Sequence, residues 1–237
     1  MGPFSRAFYE LRRESHGGRG GVISSGLEGG LVELAGRWKV YSGNQAALAL
    51  RAGREKVRAA LSKLVRWGYL DRLVTGCTPP LYTLGPEGSR VLRLPLEEWD
   101  APRAFRLVMA HQLYLRLPEI FEYRADPGSG WDALLEVKGI QYPVVCPRAG
   151  EAEVDRCVLV LGLVPEGSRP VVVAATEDEA VRVASRIRAG LQARYVWDDL
   201  LREEEFFFYR WTGSRLEPSE KVSRSGIKTL DRVPRAC

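Results

Sequence analysis

Six cations fall within sixteen residues of this chain, in the run RAGREKVRAALSKLVR from Arg51 to Arg66. Clustered guanidinium and ammonium groups suit the phosphates and base edges of a nucleic acid. Arg54 and Arg58 stand one helical turn apart near the expected start of a helix, where a helix docked in the major groove reaches base edges. Arg51, Lys56 and Lys63 are placed for phosphate oxygens. Asn44 and Gln45 open the preceding helix, and Arg72 and Thr78 lie on or beside the strands that follow; they complete the expected DNA contacts. An ordinary solvated helix also carries Lys and Arg, so charge alone does not decide. The turn spacing, the strands directly after the helix and a charge excess confined to this region favour DNA.

The other candidate chemistry is thinner. His111 lies within an apolar helical pattern with no partner for general base work, and His16 sits in a glycine stretch. Cys77, Cys146, Cys157 and Cys237 form no CxxC pair, and a zinc site takes about four ligands. Glu203, Glu204 and Glu205 read as a solvated helix end. The run Gly17-Gly18-Arg19-Gly20-Gly21 lacks the strand and helix of a phosphate loop. No catalytic residue, metal ligand or cofactor is assigned.

The elements that must position the cations follow from periodicity. Val57, Leu61 and Leu64 recur at i, i+4 and i+7, so one side of a helix over 54–67 faces a core. A first helix over 27–40 turns Leu31, Leu34, Ala35 and Trp38 inward, although its glycines weaken it. Asn44 suits the N-cap of a second helix over 45–50, with 51–53 as the turn. Gly68 ends the basic helix, and strands over 69–75 and 81–84 flank Pro79-Pro80. The order is helix, turn, helix, wing.

This gives a winged helix-turn-helix over 27–93, preceded by a flexible segment, 1–26, and followed by a linker, 94–102. A short helix within 1–13 would align Phe4, Ala7, Phe8 and Leu11. An α/β (α+β) domain is expected over 103–215. It opens with a helix over 103–117 and continues with strands over 119–123, 133–137, 142–146, 157–164 and 170–175. Thr176 and Glu179 form a capping box for a helix reaching about Gln192, and a last strand covers 205–211. Residues 216–237 read as a basic disordered tail.

At 237 residues the chain has room for about two domains. Residues 1–95 hold 15 Lys/Arg against 7 Asp/Glu, whereas residues 96–215 hold 15 against 20. The positive field therefore belongs to the winged region, as expected for a polyanion partner. No run approaches the ~18 apolar residues of a membrane span. The scattered cysteines and the absence of a signal-like leader point to a cytoplasmic, nucleoid- or plasmid-associated protein.

The segments WGYLDRL and YTLGPEG, the helix RLVMAHQLYL with His111, and the strand opening on Trp131-Asp132-Ala133-Leu134-Leu135 resemble the replication-relaxation family of plasmid and mobile-element proteins, over about residues 27–211. That resemblance implies a winged helix joined to a restriction-endonuclease-like domain, acting in plasmid replication, transfer or transcriptional regulation. A nuclease of that kind holds Mg²⁺ between a carboxylate at a strand start and a Glu-x-Lys or Glu-x-Asp on the neighbouring strand. Asp132 fills the first place, but the neighbouring strand, YPVVCPR, carries no carboxylate. Glu136 lies on the same strand as Asp132, about 13 Å away, and the helix after the catalytic strand reads as shortened to 151–156. The domain is therefore expected to be degenerate. The expected partners are double-stranded DNA, a second copy of the chain, and a replication or transfer protein, with no membrane. Two competing readings are a Mg²⁺-dependent nickase using Asp132 and a protein-interaction adaptor.

Overall fold

The computed structural model describes residues 11–15, 21–74, 79–148, 150–187 and 190–222. Within them a small antiparallel sheet with helices comes first, and a seven-strand mixed sheet with helices follows. Among the described residues no helix is long and apolar enough to cross a membrane.

The first sheet begins where a flexible segment was expected. β1 (Arg12–Glu14) pairs antiparallel with β3 (Leu70–Val74). Its side chains explain why: Arg13 Nε donates to Asp71 at 2.7 Å, and Arg72 Nε donates to Glu14 at 2.8 Å. Both partners lie 58 residues away, beyond what a local pattern reveals. The expected short helix at 1–13 and the glycine run lie mostly outside the described residues.

Ser25 caps α1 (Gly26–Trp38) by accepting from the Glu28 amide, and Leu31, Leu34, Ala35 and Trp38 face inward. β2 (Val40–Ser42) leads into α2 (Gly43–Ala49), which is capped by Ser42 and not by Asn44. The Ser42 hydroxyl accepts from the Gln45 amide while the Gln45 side chain accepts from the Ser42 amide. This box satisfies two free donors at once, which a lone Asn cannot do. Arg51, at φ +49°, ends that helix, and α3 (Arg54–Arg66) packs Val57, Ala60, Leu61, Leu64 and Val65 against α1 and α2.

Gly68, at φ +75°, turns the chain into β3, and β4 (Leu81–Leu84) pairs with both β3 and β2. The short α4 (Pro86–Leu92) then closes over β3 at Gly88. A Cβ there would meet the Tyr69 carbonyl oxygen at 2.2 Å, so only glycine permits the contact.

The expected linker is ordered: Trp99 Nε1 donates to Thr83 at 3.0 Å, and Lys39 pairs with Glu97 at 2.8 Å. α5 (Ala101–Tyr114) then serves both halves. Phe105, Leu107 and Val108 share one core with Val40, Leu73 and Leu81, while Met109, Ala110 and Leu113 pack on the large sheet.

That sheet runs β11-β10-β9-β8-β7-β6-β5. β5 (Glu122–Ala125), β6 (Ala133–Val137) and β7 (Ile140–Val145) are antiparallel neighbours. α6 (Glu151–Gly162) crosses to β8 (Val171–Ala174), and α7 (Glu177–Arg186) crosses to β9 (Arg194–Trp197), so that β7, β8 and β9 are parallel. β10 (Phe206–Trp211) and β11 (Leu216–Val222) complete it as an antiparallel pair. α5 covers one face and α6 and α7 cover the other, and buried residues alternate between two cores accordingly.

Four expectations change here. The apolar run 157–164 lies mostly in α6 and not in a strand, because Val154, Cys157 and Leu161 turn inward at helical spacing. A short apolar run alone does not separate the two. α6 is also a full helix of 12 residues and not a shortened one. α7 stops at Arg186, well before Gln192, and the start of the expected tail pairs with β10 as β11, tied further to β9 by Arg194, which donates to Glu220 at 2.9 Å.

Candidate nucleic-acid interface

α3 has one buried and one open side. Arg54, Arg58, Ser62 and Arg66 recur at every fourth residue and are all exposed, which puts three arginines on one outward stripe. Lys56 is exposed towards the edge of that side, and Glu55 stands 3.6 Å from Arg58. Arg66 completes the stripe although it was not among the expected contacts; its i+8 spacing from Arg58 was the available signal.

Tyr82 joins α3 to the strands. It is the cross-strand partner of Arg72, it stacks at a tilt on Tyr41 with ring centroids 6.2 Å apart, and its hydroxyl feels both Arg72 and Arg58. Burial raises the hydroxyl's pKa, with the two arginines pulling the other way, so Tyr82 stays a neutral donor between two cations. Its place between Leu81 and Thr83 on β4 puts it on the opposite face from them, where it is half-buried against the first core beside Tyr41.

The remaining expected contacts fall elsewhere. Gln45 is buried, and besides capping α2 it donates from Nε2 to the Val108 carbonyl at 2.8 Å, where duplex cannot reach it. Asn44 is half-buried in the first turn of α2 and does not cap it. Lys63 is turned back: Nζ lies 2.6 Å from the buried Glu28 and 4.3 Å from the Trp67 ring centroid. That lysine, with the Ser24 amide, holds the Glu28 carboxyl below its usual range. Arg51 pairs with Glu119 beyond the end of α5, at the mouth of a groove walled by Leu34, Trp38, Leu50 and Tyr114. Arg72 is exposed at the strands but shares its guanidinium with Glu14. Thr78 lies outside the described residues. Three expected DNA contacts, Arg51, Lys63 and Arg72, thus already carry a carboxylate, at 119, 28 and 14, which no local spacing discloses.

Asp132 occupies a closed ring of charges. Arg106 donates from Nε to Asp132 Oδ1 at 3.0 Å and from Nη1 to Glu153 Oε1 at 2.9 Å. Arg156 donates from Nη2 to Asp132 Oδ2 at 3.0 Å and from Nε to Glu153 Oε2 at 3.2 Å. The Cys146 amide adds a third donor to Asp132, at 2.7 Å. Each arginine therefore bridges both acids, and a cation entering here must displace a guanidinium. Burial raises the Asp132 carboxyl above its ordinary range, against the pull of Arg156 and Arg106.

His111 is a buried strut. Its Nε2 lies 3.0 Å from the Trp38 carbonyl and 2.8 Å from that of Val40. Carbonyls only accept, so Nε2 carries the proton and Nδ1 accepts from the Tyr123 hydroxyl. Burial pulls its pKa down to about 3. Cys146 and Cys157 are buried free thiols, and burial pushes Cys157 up to about 12, which removes thiolate chemistry. The chain matches no protein-family model, no curated protein and no solved structure.

Proposed function

We propose that this chain is a double-stranded DNA-binding protein whose N-terminal region works as a winged helix-turn-helix. In this reading α2 and α3 are the helix-turn-helix, α3 enters the major groove, and β3 with β4 is the wing. The observation that carries it is the outward stripe of Arg54, Arg58 and Arg66 on a helix whose other side is packed. Arg72 and Tyr82 extend the same surface onto the strands. Arg54 and Arg58 are assigned to base edges, and Lys56, Arg66 and Tyr82 to the backbone. Arg72 reaches a phosphate by exchanging it for Glu14.

The resemblance to replication-relaxation proteins supports a role in plasmid or mobile-element replication, transfer or transcriptional control. It would make the seven-strand domain a restriction-endonuclease-like one. The arginine ring around Asp132 favours a non-enzymatic role for that domain, as a scaffold for a second copy or for a replication or transfer protein. A cytoplasmic, plasmid- or nucleoid-associated location goes with this reading.

The test is fluorescence anisotropy on duplexes enriched from a randomised pool. The paired substitution Arg54→Ala with Arg58→Ala is expected to weaken binding at least about tenfold, since base-contacting arginines each contribute about 1–3 kcal/mol. Thermal unfolding should be unchanged, because both side chains are exposed. Unchanged affinity would remove α3 from the interface.

A further inference from the structure

α6 buries one side and leaves two leucines outside. Val154, Cys157 and Leu161 face the sheet, while Leu159 and the C-cap Leu163 are 72% and 77% exposed. They stand one turn apart on one line of the helix surface. Among the described large hydrophobic side chains only Val22 is more exposed. Single exposed apolar residues are ordinary, and an aligned pair on a helix forms a small apolar patch that a partner can cover.

The surroundings point to a partner with the same surface. Glu151 pairs with Arg182 at 3.3 Å and with Arg186 at 2.6 Å, and Asp155 pairs with Arg186 at 3.1 Å. The N-terminal end of the ridge, where Asp155 stands one turn before Leu159, is thus bordered by charges that already balance, and a strongly acidic or basic target finds no net charge to recognise there. A two-fold axis sets identical patches face to face, which suits an apolar ridge with neutral flanks and penalises a charged one. Position agrees. α6 lies on the sheet face opposite α5, and α5 carries the N-terminal region. Two copies joined through α6 leave both α3 helices uncovered.

We propose that α6 is a homodimer surface, with Leu159 and Leu163 of each copy packed against those of the other. This rests on the DNA reading for its use, since it names the partner of the second domain, but not for its geometry. α6 spans about 18 Å, too little by itself for the ~800 Å² per partner of a standard interface. The dimer is therefore a weak one.

Sedimentation velocity on the full chain tests it, from about 5 to about 200 µM at near-physiological salt. The wild type should shift from monomer to dimer across that range. Leu159→Asp with Leu163→Asp should stay monomeric throughout, at least a tenfold loss in association, with unchanged circular dichroism and thermal midpoint. A wild type that is monomeric at the top of the range, or a double variant that still dimerises, overturns the proposal. Anisotropy on the same samples separates the two readings. Duplex binding by a wild type that never dimerises sinks only the dimer, whereas a dimer without duplex binding sinks only the DNA reading.

Discussion

Asp132→Ala should destabilise the protein by about 3–5 kcal/mol, the usual cost of removing one member of a buried ion network. The cause is what it leaves behind. Arg106 and Arg156 are 14% and 25% exposed at the side chain, and each would keep one carboxylate where it now has two. The Cys146 amide would lose its acceptor as well. Because the ring ties α5 to β6 and α6, the loss should appear as a lower urea midpoint with an unchanged slope. Asp132→Asn, which keeps the shape and loses the charge, should fall between the two. A carboxylate kept for metal chemistry would behave differently, since groups retained for activity often cost stability. Equal or greater stability of Asp132→Ala, together with loss of a plasmid-nicking activity in the wild type, would restore the nickase reading.

Acid should unfold the protein through His111. In the unfolded chain its imidazole takes a proton near pH 6.5, whereas burial holds the folded value down to about 3. Above pH 6.5 both states are neutral and the full stability is present. Below it the unfolded state binds a proton that the folded state refuses, so stability falls by about 1.4 kcal/mol per pH unit. Between pH 6.5 and pH 5 this amounts to about 2 kcal/mol. Carboxylates such as Glu28, whose folded value is lowered, lose their contribution only at lower pH, whereas Asp132 and Glu179, whose folded values burial raises, add stability as they take up protons, so the difference between wild type and a His111 variant isolates the histidine. Urea titrations across it should show the loss in the wild type and not in His111→Gln. The variant will be less stable at every pH, because the Trp38 and Val40 carbonyls lose their donor. The slope is the diagnostic. A wild-type slope equal to that of His111→Gln from pH 6.5 to pH 5 would mean that His111 is not buried neutral.

These predictions depend on features that the sequence discloses unevenly. The α3 packing face was legible because Val57, Leu61 and Leu64 repeat at helical spacing, and Gly68 marks its end. The cationic side was legible only as composition. Which cations point outward depends on partners at a distance: Glu28 turns Lys63 back, Glu119 holds Arg51, and Glu14 shares Arg72. The same limit hid β1, whose pairing lies 58 residues away. At 157–164 the failure was of another kind, since an apolar run suits a buried strand or a helix face until its neighbours fix the inward side. Ser42 was legible as the cap, because Ser42-x-x-Gln45 is a capping-box pattern standing in the sequence. His111 reads as an isolated residue in sequence, and its three partners come from α1, β2 and β5 or their ends.

The salt dependence of duplex binding tests the central claim most directly. With Lys56, Arg66 and Arg72 neutralising phosphates while Arg54 and Arg58 read base edges, the slope of log affinity against log salt should be about −3, at roughly 0.9 per phosphate neutralised. Arg54→Ala with Arg58→Ala should weaken binding at every salt and flatten the slope by at most about two units, less if both arginines read bases and not phosphates. No detectable duplex binding at about 50 mM salt, or a slope near zero, would contradict the assignment of α3 and its neighbouring strands to DNA.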